Sequence, residues 1–140
     1  MAGYSGTPLA KKLGIKDGMR VHAAAAPDGF RALLDPLPDD VGWSGTLRGP
    51  LDLVVAFFTQ AGEVTKRWPK LTAAVGPEGT VWVAWPKRSS GVATDLTEQT
   101  FRDLVLPTGW VDTKVCAIDD TWSGLKFVLR KELRAGGRPA

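Results

Sequence analysis

Two stretches of the chain carry apolar side chains at consecutive rather than alternate positions: Leu51-Asp52-Leu53-Val54-Val55-Ala56-Phe57-Phe58 and Thr80-Val81-Trp82-Val83-Ala84-Trp85. Successive strand residues point to opposite faces, so each stretch predicts a strand that must be covered on both sides, as in the middle of a parallel sheet. Between them Ala61, Val64, Trp68, Leu71 and Val75 recur at helical spacing. Pro69 is expected to break this run in two and to open the second piece, because proline lacks an N–H and crowds the preceding turn. Gly76-Pro77-Glu78-Gly79 predicts a turn.

The flanking segments complete an alternation. Thr7 can cap a short helix with Pro8 at its first position and Leu9, Leu13 and Ile15 as its apolar contacts, stopped by Gly14. Met19 to Ala25 predicts a first strand. Asp28-Gly29 opens a short helix with Phe30, Leu33 and Leu34 on one face, ended by Pro36 and Pro38. Val41 to Ser44 predicts a short second strand. After Trp85, Pro86 is expected to stop the strand and Lys87 to Thr94 to form a polar loop. Asp95-Leu96-Thr97-Glu98 has the pattern of a capping box, in which the first and fourth side chains satisfy free backbone donors. Phe101, Leu104 and Val105 form the buried stripe of the helix that follows, and Pro107 closes it. Val111 to Ile118 and Leu125 to Leu129 flank Asp119-Asp120-Thr121-Trp122-Ser123-Gly124 and predict an antiparallel hairpin. Strands alternating with helices specify an α/β fold: one open, mostly parallel sheet with helices on both faces and a C-terminal antiparallel hairpin. Residues 1–8 are expected as a flexible arm, 9–130 as a single domain and 131–140 as a basic disordered tail.

Composition narrows the chemistry. The chain has 140 residues, 44% hydrophobic and 24% charged, within the range of a globular domain that buries a core without staples. A single Cys and a single His exclude an internal disulfide and a structural zinc site. No run of about 20 apolar residues is present, so no membrane helix is expected, and the cytoplasm is the expected compartment. The net charge is +3, but residues 126–140 hold Lys126, Arg130, Lys131, Arg134 and Arg138 against Glu132 alone. The basic character therefore belongs to the last strand and tail. This argues against a nucleic-acid partner, which needs a basic stripe across a folded face.

Leu13-Gly14-Ile15-Lys16-Asp17-Gly18-Met19-Arg20-Val21, Asp52-Leu53-Val54-Val55-Ala56 and Gly76-Pro77-Glu78-Gly79-Thr80-Val81-Trp82-Val83 resemble the first-strand approach, fourth strand and fifth strand of class I methyltransferases. The resemblance covers residues 13–130 and implies their Rossmann-like fold, with one helix–strand unit lacking a counterpart between residues 45 and 50. Gly3-Tyr4-Ser5-Gly6-Thr7-Pro8-Leu9, Trp85-Pro86-Lys87, Gly91-Val92-Ala93-Thr94-Asp95-Leu96-Thr97 and Asp120-Thr121-Trp122-Ser123-Gly124-Leu125-Lys126-Phe127 resemble a family of small uncharacterised bacterial proteins, a domain of unknown function. That likeness brings no activity with it. Methyltransferases need glycines after the first strand to admit S-adenosylmethionine and a carboxylate after the second to hold its ribose. Here the corresponding segments are Ala23-Ala24-Ala25-Ala26-Pro27-Asp28-Gly29 and Trp43-Ser44-Gly45. Neither half of the grip is present, and no cofactor is expected.

In an open α/β sheet, ligands bind beyond the carboxyl ends of the strands. The residues expected there are Asp28, Thr59, Trp85, Lys87, Ser89, Ser90, Asp120 and Trp122. In one arrangement Lys87 contacts an anion, with Trp122 or Trp85 as a stacking wall. In the other, favoured, Lys87 pairs with a carboxylate and Trp122 plugs the end of the sheet. His22 is expected as a satisfied strand histidine and Cys116 as a small buried hydrophobe. Asp39-Asp40 and Asp119-Asp120 lack metal-loop spacing. Trp82 and Trp110 are assigned to the core, with Trp43, Trp68 and Trp122 as partly exposed anchors for a partner. The leading expectation is a non-catalytic domain working through protein contact, as a dimer or regulatory subunit. The alternative is a small-molecule or anionic-metabolite binder or enzyme using the strand-end loops.

Overall fold

The computed structural model describes residues 7–136. Six strands form one sheet: β1 (Arg20–Ala24), β2 (Gly42–Trp43), β3 (Leu53–Phe57), β4 (Thr80–Pro86), β5 (Trp110–Ala117) and β6 (Trp122–Leu129). Their order is β2-β1-β3-β4-β6-β5, parallel through β4. β6 lies antiparallel to both β4 and β5, so the closing hairpin wedges its second strand against the parallel block. A bulge between Asp112 and Lys114 interrupts the outer strand β5.

The two-faced strands receive cover on both sides. α1 (Leu9–Leu13) and α2 (Phe30–Leu33) lie on one face, where Leu13, Val21, Phe30, Leu34, Leu53, Val55, Phe57, Trp82 and Ala84 cluster. α3 (Ala61–Val75) and α4 (Glu98–Val105) lie on the other, with Val54, Ala56, Val64, Trp68, Leu71, Val81, Val83 and Phe101. Trp82 ties the first layer together: its fully buried indole Nε1–H donates to the Leu13 carbonyl at 2.8 Å. Removing either partner there costs about 1–3 kcal/mol, because the other is left unpaired away from water.

Several expectations are corrected. Pro69 lies inside an unbroken α3. Pro69 and Thr65, whose carbonyl loses its partner, are both on the exposed side, so water can replace the missing bond, while Val64, Trp68 and Leu71 keep both halves on the same sheet face. Pro86 ends β4 within the ladder, opposite Trp122. The helix-start pattern shifts by two residues: Thr97 caps α4, and Thr97 and Thr100 bond each other's backbone N–H groups. Leu33 is 43% exposed rather than part of the α2 core face. Trp68 is buried, its Nε1–H donating to Thr108 Oγ1 at 3.1 Å. Lys131–Gly136, expected as disordered tail, forms α5, whose first turn follows directly on β6. Residues 1–6 of the expected arm and 137–140 of the tail lie outside the described residues.

No helix–strand unit separates β2 from β3. The chain passes directly under the end of α3, where Leu51 N–H donates to the Ala74 carbonyl at 2.9 Å. A Cβ on Gly49 would stand 2.5 Å from that same oxygen, so only glycine permits the shortcut. Among the described residues, no helix is long and apolar enough to cross a membrane.

An uninterrupted α3 has a direct consequence. Pro69→Ala restores the Thr65 carbonyl bond at an exposed position, and the variant should be more stable by about 1–2 kcal/mol in urea unfolding, the helix gain outweighing the greater freedom of the unfolded chain. A loss of stability would show that the proline is required where it stands.

Candidate functional site

The carboxyl ends of the strands are built by four connections, and the first leaves β1. Ala25 adopts φ +56°, a left-handed conformation disfavoured for a residue with a Cβ, and Gly29 follows at φ +85° as the residue before α2. α2 is four residues long and receives no side-chain cap. Its first residue, Phe30, is 1% exposed and meets Phe57 edge-on, centroids 4.9 Å apart. Phe57 in turn meets Trp122 edge-on at 5.0 Å. Three rings from α2, β3 and β6 therefore close the strand ends on this face. Each such edge-to-face pair contributes about 0.5–1.5 kcal/mol beyond its burial. Asp28, beside this fill, is exposed.

The end of β2 is occupied by protein groups as well. His22 Nδ1–H donates to the Ser44 carbonyl at 2.8 Å, which fixes the tautomer and gives the half-buried ring a positioning task. The Arg31 guanidinium sits 4.3 Å from the centre of the Trp43 ring and covers one side of it.

After β3 the chain is strapped from a distance. Thr94 Oγ1–H donates to the Thr59 carbonyl at 2.6 Å, and Asp95 Oδ1 accepts the Ala61 N–H at 2.8 Å. Gln60, the residue before α3, offers that helix no side-chain bond, so the carboxylate from 34 residues further along caps it. Arg67 reaches back from α3 to donate to the Phe57 carbonyl at 3.0 Å and lies over the Phe58 ring. Burial pushes its guanidinium pKa down, with Glu63 pulling the other way.

The connection after β4 folds on itself. Lys87 N–H donates to the Thr121 carbonyl at 2.7 Å, which ties the loop to the hairpin. Ser90 Oγ–H donates to the Lys87 carbonyl at 2.7 Å and accepts from Val92 N–H, so its hydroxyl shapes the turn. Ser89, Thr59 and Asp120 are exposed. In the hairpin the carboxylate bonded to the backbone is Asp119, which accepts from both Thr121 N–H and Trp122 N–H at 2.8 Å.

Lys87, Ser90 and Trp122 thus come from neighbouring loops, but Trp85 does not join them. Trp85 is 7% exposed on the opposite sheet face, packed against Phe101 at 5.1 Å. No stacking wall can include both Trp85 and Trp122. Lys87 forms no ion pair among the described residues, so the expected carboxylate partner is not found, while Trp122 does plug the sheet end. Trp85 instead lines a cleft of about 620 Å³ with Arg88, Thr94, Asp95 and Glu98. Sequence reasoning passed over Asp95 as a cap for α3, Thr94, Arg67 and the ring of Phe57. Their partners are backbone atoms or rings brought close only by folding.

The residues at the end of β1 and β2 do not fit S-adenosylmethionine. The turn offers methyl groups and a proline where the backbone would need to approach, Phe30 fills the space behind it, and β2 ends without a carboxylate.

No family model matches the chain, and no curated protein matches it. Solved structures match its fold. An S-adenosylmethionine-dependent methyltransferase from Aquifex aeolicus is similar with a TM-score of 0.60 at 15% identity, covering 85% of this chain and 86% of that one. A TehB-like S-adenosylmethionine-dependent methyltransferase from Corynebacterium glutamicum gives 0.54 at 12% identity, covering 91% and 90%. Aeropyrum pernix fibrillarin, in complex with natively bound S-adenosylmethionine, gives 0.53 at 15%, covering 91% and 71%. The fold is methyltransferase-like.

The capping geometry separates structural from spare carboxylates. Asp95→Ala should cost about 0.5–2 kcal/mol in chemical unfolding, the usual loss for a helix cap. Asp28→Ala and Asp120→Ala, both at exposed positions, should stay within about 0.5 kcal/mol of the parent. Equal effects from all three would contradict the assignment.

Proposed function

We propose that this chain is a methyltransferase-like domain that does not hold S-adenosylmethionine and acts through contact with another protein, as a regulatory subunit or one half of a dimer. The observation that supports it best is the ring-to-ring packing of Phe30, Phe57 and Trp122 at the strand ends, joined to a β1 turn poor in donors. A site that must open for an adenosyl group would have to give up those contacts. Exposed Leu33 on α2 and Val92 in the strap, 42–43% accessible, supply apolar surface for a partner.

Calorimetric titration with S-adenosylmethionine and S-adenosylhomocysteine tests the first half. No heat and no change in Tm are expected up to about 1 mM, a concentration at which any affinity better than −4 kcal/mol would show. A cofactor bound at about 100 times its Kd adds roughly 2.7 kcal/mol of stability, and a shift of that size would end the proposal.

The cleft beside Trp85 favours a second reading, a small anionic metabolite held by Arg88. In that case a screen of anionic metabolites raises Tm in the parent and in Lys87→Ala, but not in Arg88→Ala. On the first reading none of the three proteins responds, and Lys87→Ala keeps the parent Tm.

A further inference from the structure

The cleft beside Trp85 carries both signs of charge, which a simple anion cannot use. Arg88, Asp95 and Glu98 border it together, yet Arg88 makes no ion pair or side-chain hydrogen bond among the described residues. The strap accounts for the separation. Thr94 and Asp95 are drawn toward α3 by their bonds to the Thr59 carbonyl and the Ala61 N–H. Arg88 belongs instead to a short turn, Arg88–Ser90, closed by the Ser90 hydroxyl on the Lys87 carbonyl. Opposite charges stand around one space without meeting across it.

The carboxylates are not spent by their own contacts. Asp95 gives Oδ1 to the Ala61 N–H, which leaves Oδ2 without a partner among the described residues. Glu98 pairs with Arg102, but Arg102 also donates to Asp112 at 3.0 Å, so one guanidinium serves two carboxylates and a negative charge is left over. The Glu98 side chain is 40% exposed. The starts of α3 and α4 offset at most about half a charge each. About one negative charge therefore remains to set against the positive charge of Arg88. An anion entering alone would pair with Arg88 and meet the excess of carboxylate. A ligand that carries both signs satisfies both walls. The rest of the lining includes Trp85 and Leu96, both nearly buried, and the exposed Val92.

We propose that this cleft binds a free amino acid with an apolar side chain, its carboxylate on Arg88, its ammonium group on Asp95 and Glu98, and its side chain against Trp85, Leu96 and Val92. The guanidinium fork matches a carboxylate, and an ammonium group brings three donors to carboxylates that only accept. The volume of about 620 Å³ lies in the range of small-molecule sites. Such a site rests on the second reading above, that the cleft holds a small ligand, and changes that ligand from an anion to a zwitterion.

The full chain is titrated at about pH 6.5, where α-amines are charged, with L-leucine, N-acetyl-L-leucine, L-leucinamide and glycine, followed by calorimetry and by Tm. Leucine should bind and raise Tm. N-acetyl-leucine keeps only the carboxylate and leucinamide only the ammonium group, and each should bind about tenfold more weakly or worse, the usual loss of a charged hydrogen-bonding group. Glycine should also be about tenfold weaker, for want of a side chain to bury. Arg88→Gln alters an exposed side chain without partners, so it should keep the parent Tm in buffer and lose leucine binding. Glu98→Gln should weaken leucine but tighten N-acetyl-leucine, because a like charge is removed. A merely structural effect of breaking the Arg102 pair would weaken both. N-acetyl-leucine binding as well as leucine would overturn the proposal and leave the anion reading standing. Silence toward leucine would overturn it as well, and silence toward the anionic metabolites too would remove both. Undiminished leucine binding by Arg88→Gln, or equal affinity for glycine, would likewise overturn the assignment.

Discussion

Strands β3 and β4 are apolar on both faces, so neither can be stable with one side wet. This double demand for cover organises the rest of the molecule. α3 and α4 answer it on one side. On the other, α1 and α2 are five and four residues long, too short to do so by area alone. The aromatic residues make up the difference. Trp82 anchors α1 through the Leu13 carbonyl, and Phe30 and Trp122 close over Phe57 where α2 runs out.

The same economy explains why the strand ends look unlike a cofactor cradle. A long helix after β1 would present free N–H groups to a ligand and would cover the sheet by itself. A four-residue helix does neither, and the space it leaves is taken by rings. On the α3 side the long helix is present, but the Ala61 N–H at its start is already bonded to Asp95 across the strap. Rings thus occupy the first place, and a protein carboxylate bonds one helix N–H at the second.

Much of this architecture is legible in the sequence because its signals are local. The two-faced runs at 51–58 and 80–85, the periodic run from Ala61 to Val75 and the hairpin around Asp119–Gly124 specify the layers and their order. Local rules mislead where tertiary contacts outweigh them. Pro69 should break a helix, but Trp68 and Leu71 hold both flanks to one surface. Asp95 looks like the cap of the helix that follows it, yet it bonds to Ala61 across the fold. The separation of Trp85 from Trp122 follows from the register that sets Pro86 opposite Trp122, and a pairing register is invisible until the strands are aligned. That Lys114 pairs with Lys126 across the ladder is hidden further, because the bulge before Lys114 resets the alternation of β5.

That bulge has a second effect. A sheet with open sides exposes unpaired backbone groups that can template fibrillar stacking of one copy on another. Here one outer strand, β2, is only two residues long, and the other is kinked at Asp112–Lys114 with a cation at the kink. Neither margin offers a straight ladder for polymerisation. Both sides of the sheet are thereby poor templates for the edge-to-edge stacking that leads to fibrils.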